Sequence, residues 1–170
     1  MRRMLEVSQL QSRDVMRSKA PFDVCESMRR VLISMEKKIT DRGLDVDADI
    51  PDSGIMVLGD NDLITQVIYN LIDNAVKFTN EGGYIEVAIK SDSEKMIFSV
   101  KNSGKGISRE EAGKVFERFY KTDKSRSYDV KGAGLGLYIV KTIIDMHGGQ
   151  ITVNSEPGEY TQFVFWLPLR

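Results

Sequence analysis

Apolar residues at helical spacing predict two long amphipathic helices in the first half of the chain. The first follows Asp23, a helix N-cap with Glu26 three positions on as its capping-box partner, and ends near Gly43. The second begins at Asp60 or Asn61. Their predicted buried faces consist of Val24, Met28, Val31, Leu32 and Met35 in the first helix, and Leu63, Val67, Leu71, Ala75 and Phe78 in the second.

A second pattern, the alternation of apolar and polar residues, predicts strands and is strictest over Tyr84–Lys90. A capping box of Ser108 and Glu111 predicts a short helix toward Val115, and a further helix ends at His147-Gly148-Gly149. The predicted strands span residues 44–50, 55–58, 84–90, 96–101, 150–154 and 161–167. This order predicts an α+β fold, a two-layer α/β sandwich with helices on one face of a mixed, mostly antiparallel sheet.

The first twenty residues differ from the rest of the chain. Their sparse apolar stripe of Leu5, Leu10 and Val15 cannot close a core alone. We interpret residues 1–20 as the end of a helix that continues upstream, followed by a linker, and residues 21–170 as one globular domain. A frayed terminus is the alternative for the first segment.

Composition narrows the class of protein. The length of 170 residues suits one domain, and the net charge of −1 predicts no general attraction to nucleic acid or to an anionic membrane. A single cysteine, Cys25, excludes an internal disulfide. No apolar run approaches the ~20 residues that span a bilayer, so we expect the segment to be cytosolic.

The second long helix carries candidate chemistry on one face. Asn70, Asn74 and Lys77 recur at i, i+4 and i+7, so they lie together, away from the buried stripe. Amide oxygens can bind Mg²⁺, which also takes phosphate oxygens, and a lysine one turn later can contact the phosphates. The alternative is a polar face that contacts only solvent.

Two glycine-rich clusters, residues 102–107 and 132–137, strengthen the first interpretation. The first cluster ends a strand, so its glycines allow the backbone to approach a flat ligand and Asn102 can bond the edge of a base. The second cluster opens a helix, whose free N–H groups form an anion site suited to phosphate. It has no Walker lysine and serine and no βαβ context, which argues against a P-loop or Rossmann site.

These motifs together resemble the catalytic and ATP-binding domain of sensor histidine kinases, within the superfamily of DNA gyrase, the ninety-kilodalton heat-shock chaperones and MutL. The resemblance covers roughly residues 5–170 and implies a Bergerat-type ATP-binding fold. The matching segments, in family order, are the N box (66–79), the G1 box (102–107), the F box (116–120), the G2 box (132–137), His147-Gly148-Gly149 and the closing Leu167-Pro168-Leu169.

The resemblance implies a role for each matching position. Asn70, Asn74 and Lys77 would be catalytic, with Asn74 as the Mg²⁺ ligand and Lys77 on phosphate. Residues 108–131 would form a mobile ATP lid. The remaining nucleotide-binding positions would be Phe78, Asn102, Gly104, Gly106 and Ile107 near the adenine, Tyr120 and Lys121 near the ribose and phosphates, and Gly132, Ala133, Gly134, Leu135, Gly136 and Leu137 around the phosphates.

Two positions carry particular weight. The family usually has an aspartate where this chain has Asn102, and the neutral amide predicts weaker or less selective nucleotide binding. Relatives that hydrolyse ATP with water have a glutamate where this chain has Asn70, and asparagine cannot act as a general base.

His147 is the only histidine; we predict a structural role for it, with a cationic side chain at a helix C-terminus.

The resemblance therefore predicts the ATP-binding domain of a two-component kinase that transfers the γ-phosphoryl group to a histidine on an upstream dimerisation domain. A response regulator would be the downstream partner, and the full-length protein would be a membrane-anchored homodimer with this domain in the cytoplasm. No nucleic acid or membrane contact is expected of this segment. The alternatives are a nucleotide-binding regulatory module without catalysis and an anti-sigma serine kinase, although the latter needs no N-terminal helix.

Overall fold

The structure, a computed structural model, describes residue 5, residues 19–117, residue 120 and residues 136–169. The elements in chain order are β1 (Ala20–Asp23), α1 (Val24–Asp41), β2 (Asp45–Asp49), β3 (Met56–Gly59), α2 (Asn61–Phe78), β4 (Tyr84–Ser91), β5 (Lys95–Ser103), α3 (Arg109–Ala112), α4 (Gly136–Met146), β6 (Gln150–Glu156) and β7 (Tyr160–Pro168).

The main sheet has five strands in the order β2-β4-β5-β7-β6, and only the β2–β4 pair is parallel. One face is apolar and packs beneath the helices, where the rings of Phe98 and Phe165 stack with centroids 4.8 Å apart. The other face exposes residues such as Glu86 and Ile97. The predicted two-layer α+β sandwich with a mostly antiparallel sheet is thereby confirmed.

A small second sheet, formed by β1 and β3, was not predicted from the sequence. Pro21, a residue type that usually interrupts regular structure, lies in β1 opposite Leu58 of β3. This is possible because β1 has only one neighbouring strand, so the missing N–H of proline need not reach a second one. The segment predicted as a strand at 55–58 therefore belongs to this ribbon and not to the main sheet.

Helix ends agree with the predicted caps in most details. Asp23 caps α1 by accepting from the N–H of Cys25, but Glu26 does not complete a capping box, since its carboxylate pairs with Arg29 and Arg30. The predicted capping box of α3 is complete, although α3 ends at Ala112 and not near Val115. None of the helices in the described ranges has the length and apolar character needed to cross a membrane.

The imidazole of His147 joins the end of α4 to the start of α2. Its Nδ1 lies 2.7 Å from the carbonyl oxygen of Ile143, and its Nε2 accepts a hydrogen bond of 3.0 Å from the N–H of Asp60, the N-cap of α2. Gly59 leaves room for the ring, because a Cβ there would lie 2.7 Å from Cδ2. One nitrogen donates and the other accepts, so this histidine is the neutral tautomer. The predicted structural role is confirmed, but the predicted cationic form is wrong.

We expect His147→Phe to lower the free energy of unfolding by about 1–3 kcal/mol, because the buried N–H of Asp60 would lose its acceptor. Urea denaturation measures the loss, and amide hydrogen exchange at Asp60 reports its cause. Unchanged exchange at Asp60 in the variant would contradict this account of the junction.

Candidate functional site

The helix-facing side of the main sheet changes from apolar to polar at one end. Residues paired directly across an antiparallel sheet share a face, and one such row consists of Val87, Val100, Phe163 and Val153. The next row toward the end of β5 consists of Ile85, Asn102, Thr161 and Ser155. Three strands therefore present a polar group to the helix layer here, which is the candidate site.

Helix α2 reaches this polar row with its last turn. The carbonyl oxygen of Phe78 lies so close to the strand end that a Cβ on Gly104 would be 2.7 Å from it. The structure thus brings together Phe78, Asn102 and Gly104, which the sequence predicted to share a site. Asn74 lies one turn earlier on α2 and Asn70 lies two turns earlier; both are half-buried.

The glycines of the first cluster have a packing role that the sequence did not reveal. Gly104 and Gly106 have φ angles of 151° and 65°, which side chains rarely tolerate. A Cβ on Gly106 would lie 2.5 Å from the carbonyl oxygen of Glu156, in the β6–β7 hairpin. Their substitution would therefore disturb the protein even without a ligand, and their predicted role beside a base stays a prediction.

Asn102 is 5% exposed, and its side chain is oriented by the backbone of the next residue. Its Nδ2 donates to the carbonyl oxygen of Ser103 at 3.0 Å. Its Oδ1 makes no hydrogen bond to another described residue, so it can accept one from the amino group of a ligand.

Lys77, predicted to contact phosphate, is bound to a carboxylate of its own helix. Its ammonium lies 3.1 Å from Asp73, and Lys38 of α1 lies 3.3 Å from the other oxygen of the same carboxylate. The Asp73 side chain is 11% exposed, so it requires such partners. A phosphate would have to compete with Asp73 for Lys77.

The Asp73 carboxylate also raises the pKa of Lys38 above its ordinary value of 10.5. Because the folded-state pKa is raised, this attraction stabilises the fold at neutral pH and is lost only as the pH rises through the shifted value. Asp73 was not among the residues predicted from the sequence, although its position four residues before Lys77 is the spacing of an ion pair on a helix.

The other predicted positions pack against the core, open a helix or lie outside the described residues. Ile107, Tyr120 and Leu137 are half-buried against the core, and Gly136 opens α4. Lys121, Gly132, Ala133, Gly134 and Leu135, and most of the predicted lid, lie outside the described residues. Thr161 and Ser155, which complete the polar row, were missed because only strand register brings them beside Asn102.

Comparison with known proteins identifies the family of this chain. The model of the histidine kinase-, DNA gyrase B- and HSP90-like ATPases matches residues 59–170. The chain belongs to this family. The match includes α2, the polar row and both glycine clusters, and the predicted resemblance is confirmed.

Similar proteins in this family are sensor kinases. The chain is 33% identical to the sensor histidine kinase WalK of Bacillus subtilis over 169 residues, which is 98% of this chain but 28% of WalK. The catalytic domain of histidine kinase ThkA matches with a TM-score of 0.79 at 33% identity, over 89% of this chain and 97% of that domain. ThkA in complex with the response regulator TrrA matches with a TM-score of 0.81 at 29% identity, over 99% of this chain and 47% of that one.

We expect Asp73→Asn to lower the free energy of unfolding by about 1 kcal/mol, because the attraction to Lys38 and Lys77 is lost but both ammonium groups are partly solvated. Asp41→Asn is the matched control; its partner Lys37 is 88% exposed, so less than about 0.5 kcal/mol is expected. Urea denaturation measures both variants, and equal effects would show that burial of Asp73 adds nothing.

Proposed function

We propose that this domain binds Mg²⁺-ATP and donates the γ-phosphoryl group to a histidine on a dimerisation domain that precedes it in the whole protein. One observation carries the proposal. The polar end of the sheet, where Oδ1 of Asn102 makes no hydrogen bond to another described residue, lies beside the helix that carries the half-buried Asn70 and Asn74. A base and a metal–phosphate group can therefore be held by two adjoining walls.

Each residue has a role that follows from its chemistry. Asn102 accepts from the adenine amino group, and Phe78 contacts the base. Asn74 is the metal ligand, Asn70 supports the metal–phosphate assembly, and Lys77 exchanges Asp73 for phosphate oxygens. Half-buried amides that make no hydrogen bond to other described residues fit a hydrated Mg²⁺. Mg²⁺ supplies neutralisation of phosphate charge when bound, and the protein supplies orientation.

The phosphoryl acceptor is a histidine outside this chain. Asn70 cannot take a proton from water at neutral pH, so hydrolysis is slow and the γ-phosphoryl group is kept for another nucleophile. His147 does not serve, because it is buried and both of its ring nitrogens are bonded to α2 and α4 backbone groups.

The relatives support the rest of the assignment. WalK is a sensor histidine kinase, and ThkA forms a complex with a response regulator. We infer a response regulator as the downstream partner here, a homodimeric full-length protein anchored in a membrane, and a cytoplasmic position for this domain. Residues 1–20 then connect it to the dimerisation domain.

A regulatory module that binds nucleotide without catalysis is the second candidate. The replacement of the usual aspartate by Asn102 favours it, since the neutral amide forms a weaker bond with an amino group. Both candidates require nucleotide binding, and only the kinase transfers phosphate.

For wild type, we expect calorimetry to detect Mg²⁺-ATP binding and labelled ATP to place phosphate on the histidine of a separately added dimerisation domain. Asn74→Ala should weaken binding about tenfold or more with Mg²⁺, and much less with EDTA, because it removes a metal ligand. Asn154→Ala, on the exposed side of β6, is the matched control. No binding heat at millimolar nucleotide would refute both candidates, whereas binding without phosphohistidine would favour the module.

For Asn102→Asp, we expect ATP to bind about threefold to tenfold more tightly, because a carboxylate forms a charge-assisted bond with the amino group. The same change loses the hydrogen bond from Nδ2 to the carbonyl oxygen of Ser103, so the free energy of unfolding should fall by about 1 kcal/mol. Calorimetry and urea denaturation measure the two effects. Unchanged or weaker ATP binding would contradict the role given to Asn102.

A further inference from the structure

The tip of the β6–β7 hairpin supports the glycine-rich loop that follows β5. The N–H of Gly104 donates to the carbonyl oxygen of Glu159 at 3.2 Å, and the N–H of Gly158 donates to that of Lys105 at 2.6 Å. Gly106 rests directly on Glu156, since any Cβ would collide with its carbonyl. The shape of the loop is therefore set by a hairpin some fifty residues later in the chain.

One side chain, Ser155, connects the hairpin to the far end of this loop. Its Oγ accepts from the N–H of Ile107 at 2.8 Å and donates to the carbonyl oxygen of Tyr160 at 2.7 Å. Oγ also lies 3.3 Å from Oγ1 of Thr161, the residue between Ser155 and Asn102 in the polar row. The hydroxyl thus contacts the loop, the hairpin and the row at once.

The N–H of Ile107 depends on the Ser155 hydroxyl as its hydrogen-bond acceptor. Gly106 has a φ of 65°, so the chain turns sharply and directs the next amide toward β6 and away from the strand ladder. An amide in a half-buried position needs an acceptor, and the one it finds is Ser155 Oγ. Without that bond, the loop keeps its attachment at Gly104 and Lys105 but loses the one at Ile107.

We propose that Ser155 is a positioning residue for the base of the nucleotide. It acts through Ile107, by holding the loop from Gly104 to Ile107 at a constant distance from Asn102. This inference rests on the proposed function, because it assumes that the loop receives adenine. Ser155 is therefore expected to support the base end of the site and not the metal–phosphate end.

The test compares Ser155→Ala with Ser99→Ala, which deletes the same hydroxyl on the opposite face of the sheet. We expect Ser155→Ala to weaken Mg²⁺-ATP and Mg²⁺-ADP by the same factor, about threefold to tenfold, because both share the base. Ser99→Ala should bind both like wild type. Calorimetry gives the affinities, and amide exchange at Ile107 in the nucleotide-free proteins should be faster in Ser155→Ala alone.

Two results would overturn the inference while wild type still binds nucleotide. One is unchanged affinity in Ser155→Ala despite faster exchange at Ile107. The other is a loss confined to ATP, which would place the effect at the phosphate end. Failure of wild type to bind either nucleotide refutes the proposed function itself, so the two failures are distinguishable.

Discussion

The register between β5 and β7 is the constraint on which the site depends. It pairs Asn102 with Thr161 and directs both toward the helices, in line with the apolar pair Val100 and Phe163. Side chains alternate between the faces of a strand, so a shift by one residue would turn Asn102 outward and bury Lys101 or Ser103 in its place. The apolar rows stabilise the register, and the polar row at their end is the part that can bind a ligand.

Helix α2 serves the core and the site with different faces, and both of its ends are held by other elements. His147 accepts from its N-cap, and the guanidinium of Arg42 donates to the carbonyl oxygens of Val76 and Thr79 at its C-terminus. A cation there also interacts favourably with the helix dipole. The amides of Asn70 and Asn74 therefore lie on a helix whose position is determined at both termini, as a preorganised site requires.

Ion pairs and backbone contacts stabilise different parts of the site. The Asp73 carboxylate forms ion pairs with two lysines, so Lys77 is already paired before any phosphate arrives. The glycine loop depends instead on backbone contacts with the β6–β7 hairpin. The family match from residue 59 to 170 contains all of these parts except Lys38 and Arg42. Lys38 lies in α1 and Arg42 is its C-terminal cap, so both support α2 from outside the matched region.

The sequence alone determined the elements and the chemistry, because helical and strand periodicities and glycine-rich turns are local. The stripe of α2, the alternation in β4 and the order of the motifs were sufficient to predict the two-layer fold and the family, while the nucleotide roles of Asn70, Asn74 and Asn102 stay predictions. Only the tertiary structure decided the β1–β3 ribbon, the neutral state of His147, the partner of Lys77, and the place of Thr161 and Ser155 beside Asn102. Each of these depends on contacts between residues far apart in the chain, where pairing register and burial, and not local pattern, select the partner.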